Sequence, residues 1–247
     1  MMQAMTAPSL ATVELGTILS LWAHPDDETY LSAGVMAAAA ERGQRVVCVS
    51  ATAGEHGTPH PDVWPPDRLE RVRRWEAAAA MAVLGVTEHR ILGLPDGALA
   101  DHDADGVDLV DGLLDEVRPD TVLTFGPDGI TYHPDHIAVG RWATEAWQRR
   151  GRPCRLLYAT PSVEHLVRFG DHYEEWGVYM SDERPRGAAA DRMALRIVLT
   201  GPELDRKLTA LAAMASQTRD AMATLDPDLY AQMAAEEAFV DASTEVR

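Results

Sequence analysis

The chain has 247 residues, with 22 basic residues against 39 acidic ones and a formal net charge of -17 at neutral pH. At roughly 100–200 residues per domain this length suits one large domain with a buried core, and 46% hydrophobic with 25% charged residues rules out a disordered or fibrous class. So acidic a surface repels nucleic acid and anionic lipid.

No stretch of the sequence approaches the ~20 apolar residues of a membrane span. The first sixteen residues also lack the charged start and apolar core of a leader, so a cytoplasmic setting is expected. Residues 17–23 read as a buried strand, 31–42 as a helix and 45–51 as a second strand. A loop follows over 54–67, with four prolines and the histidines His56 and His60. Residues 68–84 form a strong helix that Gly85 can cap. Beyond it come a short strand at 89–92, a helix at 107–117, a strand at 120–125, a helix at 137–149 and a fifth strand at 155–160.

Strands separated by ten or more helical residues imply βαβ crossovers. The expected fold is therefore α/β, a Rossmann-like, mostly parallel sheet flanked by helices over 17–160. After Pro161 the rhythm breaks. Residues 162–192 mix charges with aromatic residues and show no period, 193–200 reads as a strand, 202–215 as a helix and 226–239 as a last helix. This C-terminal α+β extension, 161–247, follows without a linker, so residues 1–247 are read as a single domain. Cys48 and Cys154 are too few for a disulfide framework or a thiolate metal site.

In an open parallel sheet, ligands bind beyond the carboxyl ends of the strands. After the first strand stands His24-Pro25-Asp26-Asp27-Glu28, and after the fourth the loop runs to His133-Pro134-Asp135-His136. Helix capping explains an aspartate at either place, but not four carboxylates and three histidines at one edge. A catalytic zinc takes three protein ligands and leaves one position for water. His24 and Asp27, three apart on a turn entering a helix, can face one ion, and His136 completes the set. Asp26 and His133 are then left beside the open position as general base and as general acid or oxyanion stabiliser.

Ala23-His24-Pro25-Asp26-Asp27-Glu28 and His133-Pro134-Asp135-His136 resemble the two signature motifs of the LmbE/PIG-L family of zinc-dependent N-acetylglucosaminyl deacetylases. Thr52-x-Gly54-Glu55-x-Gly57, Arg73-x-x-Glu76 and Leu94-Pro95-Asp96-Gly97 are similar to further family segments, and Lys207 with Ser216-Gln217 echoes a C-terminal helix. The resemblance implies His24, Asp27 and His136 as zinc ligands, Asp26 as the base, and His133 as oxyanion stabiliser or proton donor to the leaving amine. It also implies that Asp135 orients that imidazole, that Arg73 and Asp96 hold sugar hydroxyls, and that Glu28 supports the site from behind. The chain departs from some relatives at Thr131, where they carry tyrosine, and at Met214, where many carry histidine.

The expected activity is removal of an N-acetyl group from an N-acetylglucosamine-type sugar or glycoconjugate. Amide cleavage of a larger acyl group is the alternative, and an idle sugar- or metal-binding relative is a third. Zn2+ is the expected ion, with Fe2+ open to the same donors. The partner is a small acetamido sugar, and homo-oligomerisation is compatible with the sequence. The acidic run Asp101 to Asp108 resembles the start of a calcium loop, but its twelfth position is Gly112, so a solvated acidic turn is favoured. The aromatic residues of 162–192 suit a sugar-stacking wall, a subunit contact or core packing.

Overall fold

Three strands are buried at every position, with mostly apolar residues and a few buried serines and threonines: β1 (Ile18–Trp22), β2 (Val46–Thr52) and β4 (Thr121–Phe125). They form the middle of a seven-stranded sheet in a computed structural model that describes Leu10 and residues 14–245. The others are β3 (Glu88–Leu94), β5 (Arg155–Ala159), β6 (Met193–Val198) and β7 (Glu236–Asp241), in the order β3-β2-β1-β4-β5-β7-β6. β1 to β5 run parallel, whereas β7 is antiparallel to both β5 and β6. Cys48 lies fully buried in β2, in agreement with its apolar setting.

The parallel strands alternate with α1 (Asp27–Glu41), α2 (Pro66–Leu84), α3 (Asp103–Val117) and α4 (Pro134–Arg149). α1 packs on α2, and α3 on α4, which right-handed crossovers place on opposite faces of the sheet. The strand order reverses between β1 and β4, so a crevice opens at their carboxyl ends. Gly85 caps α2 in the left-handed conformation, as its position after the helix suggests.

The extension departs from its expected elements in three places. First, residues 162–192 contain a helix, α5 (Val163–Glu175), capped by the Ser162 hydroxyl, which accepts the His165 N–H at 3.0 Å. Second, the helix expected over 202–215 is two, α6 (Gly201–Ala213) and α7 (Ala215–Thr224), broken at the buried Met214. Third, the helix expected over 226–239 stops early: α8 (Pro227–Ala234) gives way to β7, and α9 (Ala242–Glu245) follows. Glu236, Glu237 and Ala238 favour helix intrinsically, but β6 pairs with all three and β5 with Phe239 to Asp241, which overrides that preference.

Asp101 to Asp108 is no calcium loop, because a 3-10 turn (Leu99–His102) runs directly into α3. Asp103 accepts the Trp142 indole N–H at 2.9 Å and pairs with Arg141, and Asp108 pairs with Arg149. These carboxylates fasten α3 to α4.

A buried ion pair ties the extension to α1. Lys207 and Glu237, 1% and 0% exposed, meet at 2.9 Å. Glu237 also accepts the N–H groups of Gly34 and Val35 at 2.8 and 2.9 Å, while Lys207 donates to the Tyr30 carbonyl at 2.6 Å. Tyr30 lies four residues before Gly34, so the pair engages both partners of one α-helical hydrogen bond.

Candidate active site

The crevice between β1 and β4 is built from two tight turns. The first turn carries Asp26 at φ 133°, a left-handed conformation that a non-glycine residue adopts only when its surroundings enforce it. The enforcement is visible: the Asp26 N–H donates to Glu28 Oε2 at 3.1 Å, and the Asp26 carbonyl accepts the N–H groups of Thr29 and Tyr30. α1 therefore begins at Asp27, with its side chain at the crevice. In the second turn Gly129 has φ 60°, and a Cβ there would come within 2.8 Å of the His136 Cβ. Only glycine lets that loop close on the imidazole.

His136 is fixed by the loop it packs on. Its Nδ1–H donates to the Gly129 carbonyl at 3.0 Å, beside the Thr131 hydroxyl at 3.2 Å, and its ring stacks on Phe125 at 4.1 Å. That tautomer leaves the Nε2 lone pair directed at His24 Nδ1, 3.2 Å away, and at Asp27 Oδ1, 3.3 Å away. His24 is oriented from its far side, where Nε2 lies 3.0 Å from Asp96 Oδ1 and 3.3 Å from Asp135 Oδ2. Two carboxylates there require a proton on Nε2, so Nδ1 is the atom turned inward. His24, Asp27 and His136 thus present two nitrogens and a carboxylate around one point, a grouping whose ligand atoms lie within 4.8 Å of one another. Facing lone pairs repel unless a cation lies between them, and a proton or a metal ion meets that need. A second grouping, His24 with His133 and Asp135, shares the His24 ring but uses the nitrogen already held by carboxylates.

The electrostatics follow from burial and these partners. Burial raises the Asp26 carboxyl and the neighbouring Asp27 charge raises it further, against the opposing Arg73 guanidinium, to about 6. Burial also opposes ionisation of Asp27, but the His136 and His24 imidazoles outweigh it and hold that carboxyl well below the usual range. For His24 burial favours the neutral ring, yet Asp135, Asp27 and Asp96 together push it well above 6.5. Burial and the two neighbouring imidazoles depress His133 to about 4. Glu28, fully buried beside Asp26, is raised to about 8.

Asp135 serves a different histidine from the one expected. Its carboxylate accepts the N–H groups of Leu99 and Gly97 at 3.0 and 2.7 Å and faces His24, while only its backbone N–H meets His133, donating to Nδ1 at 3.1 Å. The carboxylate is taken up by those two amides and by His24 and makes no hydrogen bond to the His133 ring. His133 Nδ1 is therefore an acceptor and Nε2 carries the proton.

Arg73 and Asp96, the expected sugar contacts, both have protein partners. Arg73 is 3% exposed; it donates to the carbonyls of Gly54 and Pro25 at 2.8 and 2.5 Å and lies 3.3 Å from Asp26. Its Nε alone lacks a partner. Both oxygens of Asp96 are engaged, one by His24 and the other by the His56 N–H at 2.8 Å. The side chains of His56 and His60 lie on residues exposed to solvent. Glu76 accepts from the Ser216 N–H and hydroxyl at 2.8 and 2.5 Å. The two family-like segments 73–76 and 216–217 are thus one joint between α2 and α7, a pairing the sequence reading did not make.

Beside Asp27 and His136 opens a cleft of about 380 Å³, walled by α1, α5, α7 and α8 and by the chain from 176 to 185. Tyr30, Tyr173, Trp176, Tyr179 and Tyr230 line it. Of the aromatic residues of 162–192, Tyr173, Trp176 and Tyr179 line the cleft and Phe169 is buried. No helix among the described residues is long and apolar enough to cross a membrane.

Comparison with known proteins identifies relatives of the chain. Residues 19–147 match the family described as PIG-L, GlcNAc-PI de-N-acetylase. The chain is 37% identical over 175 residues to a 1D-myo-inositol 2-acetamido-2-deoxy-alpha-D-glucopyranoside deacetylase of Saccharomonospora viridis, spanning 61% of this chain and 65% of that protein. It is 32% identical over 245 residues to the corresponding deacetylase 2 of Catenulispora acidiphila, spanning 81% and 79%. In fold it is similar to the N,N'-diacetylchitobiose deacetylase from Pyrococcus horikoshii, with a TM-score of 0.65 at 22% identity, covering 92% of this chain and 84% of that one. The chain belongs to the PIG-L family.

Proposed function

We propose that this protein is a metal-dependent amidohydrolase that removes the acyl group, an acetyl in the first instance, from an N-acetylglucosamine-type sugar. The observation that carries this reading is the convergence of His24 Nδ1, His136 Nε2 and the Asp27 carboxylate beside an Asp26 carboxyl raised to about 6. The donor set of two imidazoles and one carboxylate fits a divalent ion, and zinc is the ion we assign. When bound there, such an ion lowers the pKa of its water toward ~7 and polarises an amide carbonyl. The names of the relatives, which act on acetamido-deoxyglucose conjugates, support the same substrate class.

The chain's own residues divide the work. Asp26, held near Arg73, takes the proton of the attacking water, and a pKa raised toward the working pH suits that task. His133 is neutral, with its proton on Nε2, so it is a hydrogen-bond donor and suits the developing oxyanion rather than proton delivery. The amide C–N bond breaks, the water oxygen joins the acyl carbon, and Asp26 returns the proton to the leaving amine. Asp135 and Asp96 act through His24, keeping its proton on Nε2 so that Nδ1 remains a ligand. Arg73 acts through Asp26.

Acetate and free-amine release from N-acetylglucosamine by zinc-loaded protein tests the activity. Metal content per chain in His136→Ala tests the ligand set without relying on turnover. Turnover unaffected by chelation, or full metal content in that variant, would overturn the assignment.

A further inference from the structure

The cleft beside Asp27 and His136 is not a place for sugar hydroxyls. Its wall includes Leu31, Ile130, Leu166, Leu225 and Met233 among the aromatic residues. Its polar groups are largely paired with one another or with the protein. Tyr30 and Tyr230 share a hydrogen bond at 3.0 Å, and His165 Nε2 meets the Tyr173 hydroxyl at 2.7 Å. Glu236 is occupied by Ser162 and Arg196, and Glu237 by Lys207 and two amides of α1. A polyol buried here would leave most of its hydroxyls without partners, each at the full cost of desolvation.

We propose that this cleft seats an apolar alkyl or aryl group carried by the substrate, so that the preferred substrates are acylated amino sugars with a hydrophobic substituent. The inference rests on the amidohydrolase reading, because the cleft is continuous with Asp27 and His136 and an occupant tethered to the reacting amide reaches it directly. A volume of about 380 Å³ lies within the range of pockets that enclose small ligands. An apolar wall with few convergent polar groups selects by area rather than by hydrogen-bond pattern. The same group can enter as a lengthened N-acyl chain or as the aglycone of an N-acetyl sugar, and the two are separable by experiment.

One arm compares methyl glucosaminides bearing N-acetyl, N-butanoyl and N-hexanoyl groups. The other compares methyl, hexyl and phenyl glycosides of N-acetylglucosamine. The expected result is a kcat/KM about tenfold or more higher for the larger substrate in one arm, and that arm identifies which end of the substrate enters the cleft. Ala221→Phe, placed on the wall of α7, should collapse the large-to-small substrate ratio of the selective arm toward one. Flat selectivity in both arms with measurable turnover, or a ratio that survives Ala221→Phe, overturns the cleft assignment and leaves the amidohydrolase reading standing. Absence of turnover in every arm overturns the amidohydrolase reading. Calorimetry with hexyl and methyl glucosaminide then decides the cleft separately, since equal affinities for the two overturn it and tighter hexyl binding sustains it.

Discussion

The crevice between β1 and β4 and the cleft beneath α5, α7 and α8 lie side by side, but they are built by opposite means. In the crevice, a few charged groups from residues 24–28, 96 and 131–136 converge on one point, held by backbone that is strained at Asp26 and closed by Gly129. In the cleft, polar atoms are paired off against one another and the surface left over is apolar. The contrast separates two tasks: rigid strand ends supply chemistry, and the C-terminal extension supplies a shaped wall. The two regions meet at Asp27, at His136 and along α1, where Lys207 and Glu237 fasten the extension to the helix.

The largest expected effect belongs to the crevice. Asp26→Asn should lower kcat by about 10²–10⁴ while leaving bound metal unchanged, as measured by acetate release alongside metal analysis. A base works only when ionised, so kcat/KM in the wild type should rise with pH along a limb whose midpoint lies at or below about 6, a bound cation moving that limb downward. The limb should vanish in the variant. Wild-type-like turnover without the carboxylate would break the division of tasks at its root.

Next in size is the joint between the regions. Glu237→Ala leaves Lys207 buried without its partner and should cost about 3–5 kcal/mol in urea unfolding, whereas replacing both by Met and Leu should recover most of that loss. If the double variant is as unstable as the single, the amides of Gly34 and Val35, rather than the charge, dominate the penalty. Asp135→Asn should weaken metal binding by about 10–100-fold through the His24 tautomer, read by competition with a chelator. An unchanged affinity would mean that Asp96 alone suffices to hold His24.

The same contrast explains how much of the molecule could be read from the sequence. The crevice is written in short segments: His24, Asp26 and Asp27 lie within one turn, and His133 to His136 within another, so period and strand ends alone bring them together. The alternation of strands and helices over 17–160 is legible for a similar reason, because each element's apolar pattern is local. The cleft draws on residues from α1 to β7, and no local pattern links Leu31 to Met233. One signal there went unread: Ser162 as a cap followed by apolar positions at Leu166, Phe169 and Tyr173 marks α5. β7 left no local signal, since Glu236-Glu237-Ala238 favours helix and only pairing with β5 and β6 makes it a strand. The partner of Asp135 was beyond sequence for a different reason, because spacing gives neighbourhood but not the direction of a side chain.

The smallest effect tests whether every carboxyl in the crevice carries charge. Glu28 is fully buried; one oxygen accepts the Asp26 N–H at 3.1 Å and the other the Thr29 hydroxyl at 3.0 Å. Burial, reinforced by the Asp26 charge, raises it from 4.5 to about 8, so at neutral pH it is a neutral acid that positions Asp26. A carboxyl whose folded pKa exceeds its unfolded value binds its proton more tightly when folded, so its contribution to stability is present at low pH and lost as pH rises between 4.5 and about 8. Glu28→Gln mimics the protonated side chain. In metal-free protein its unfolding free energy should match the wild type near pH 5 and exceed it progressively toward pH 8, with the acetate-release activity of the metal-loaded enzyme at pH 6 little changed. A variant already unstable at pH 5 would show that Glu28 is ionised and that the crevice, unlike the cleft, relies on charge at every carboxyl it contains.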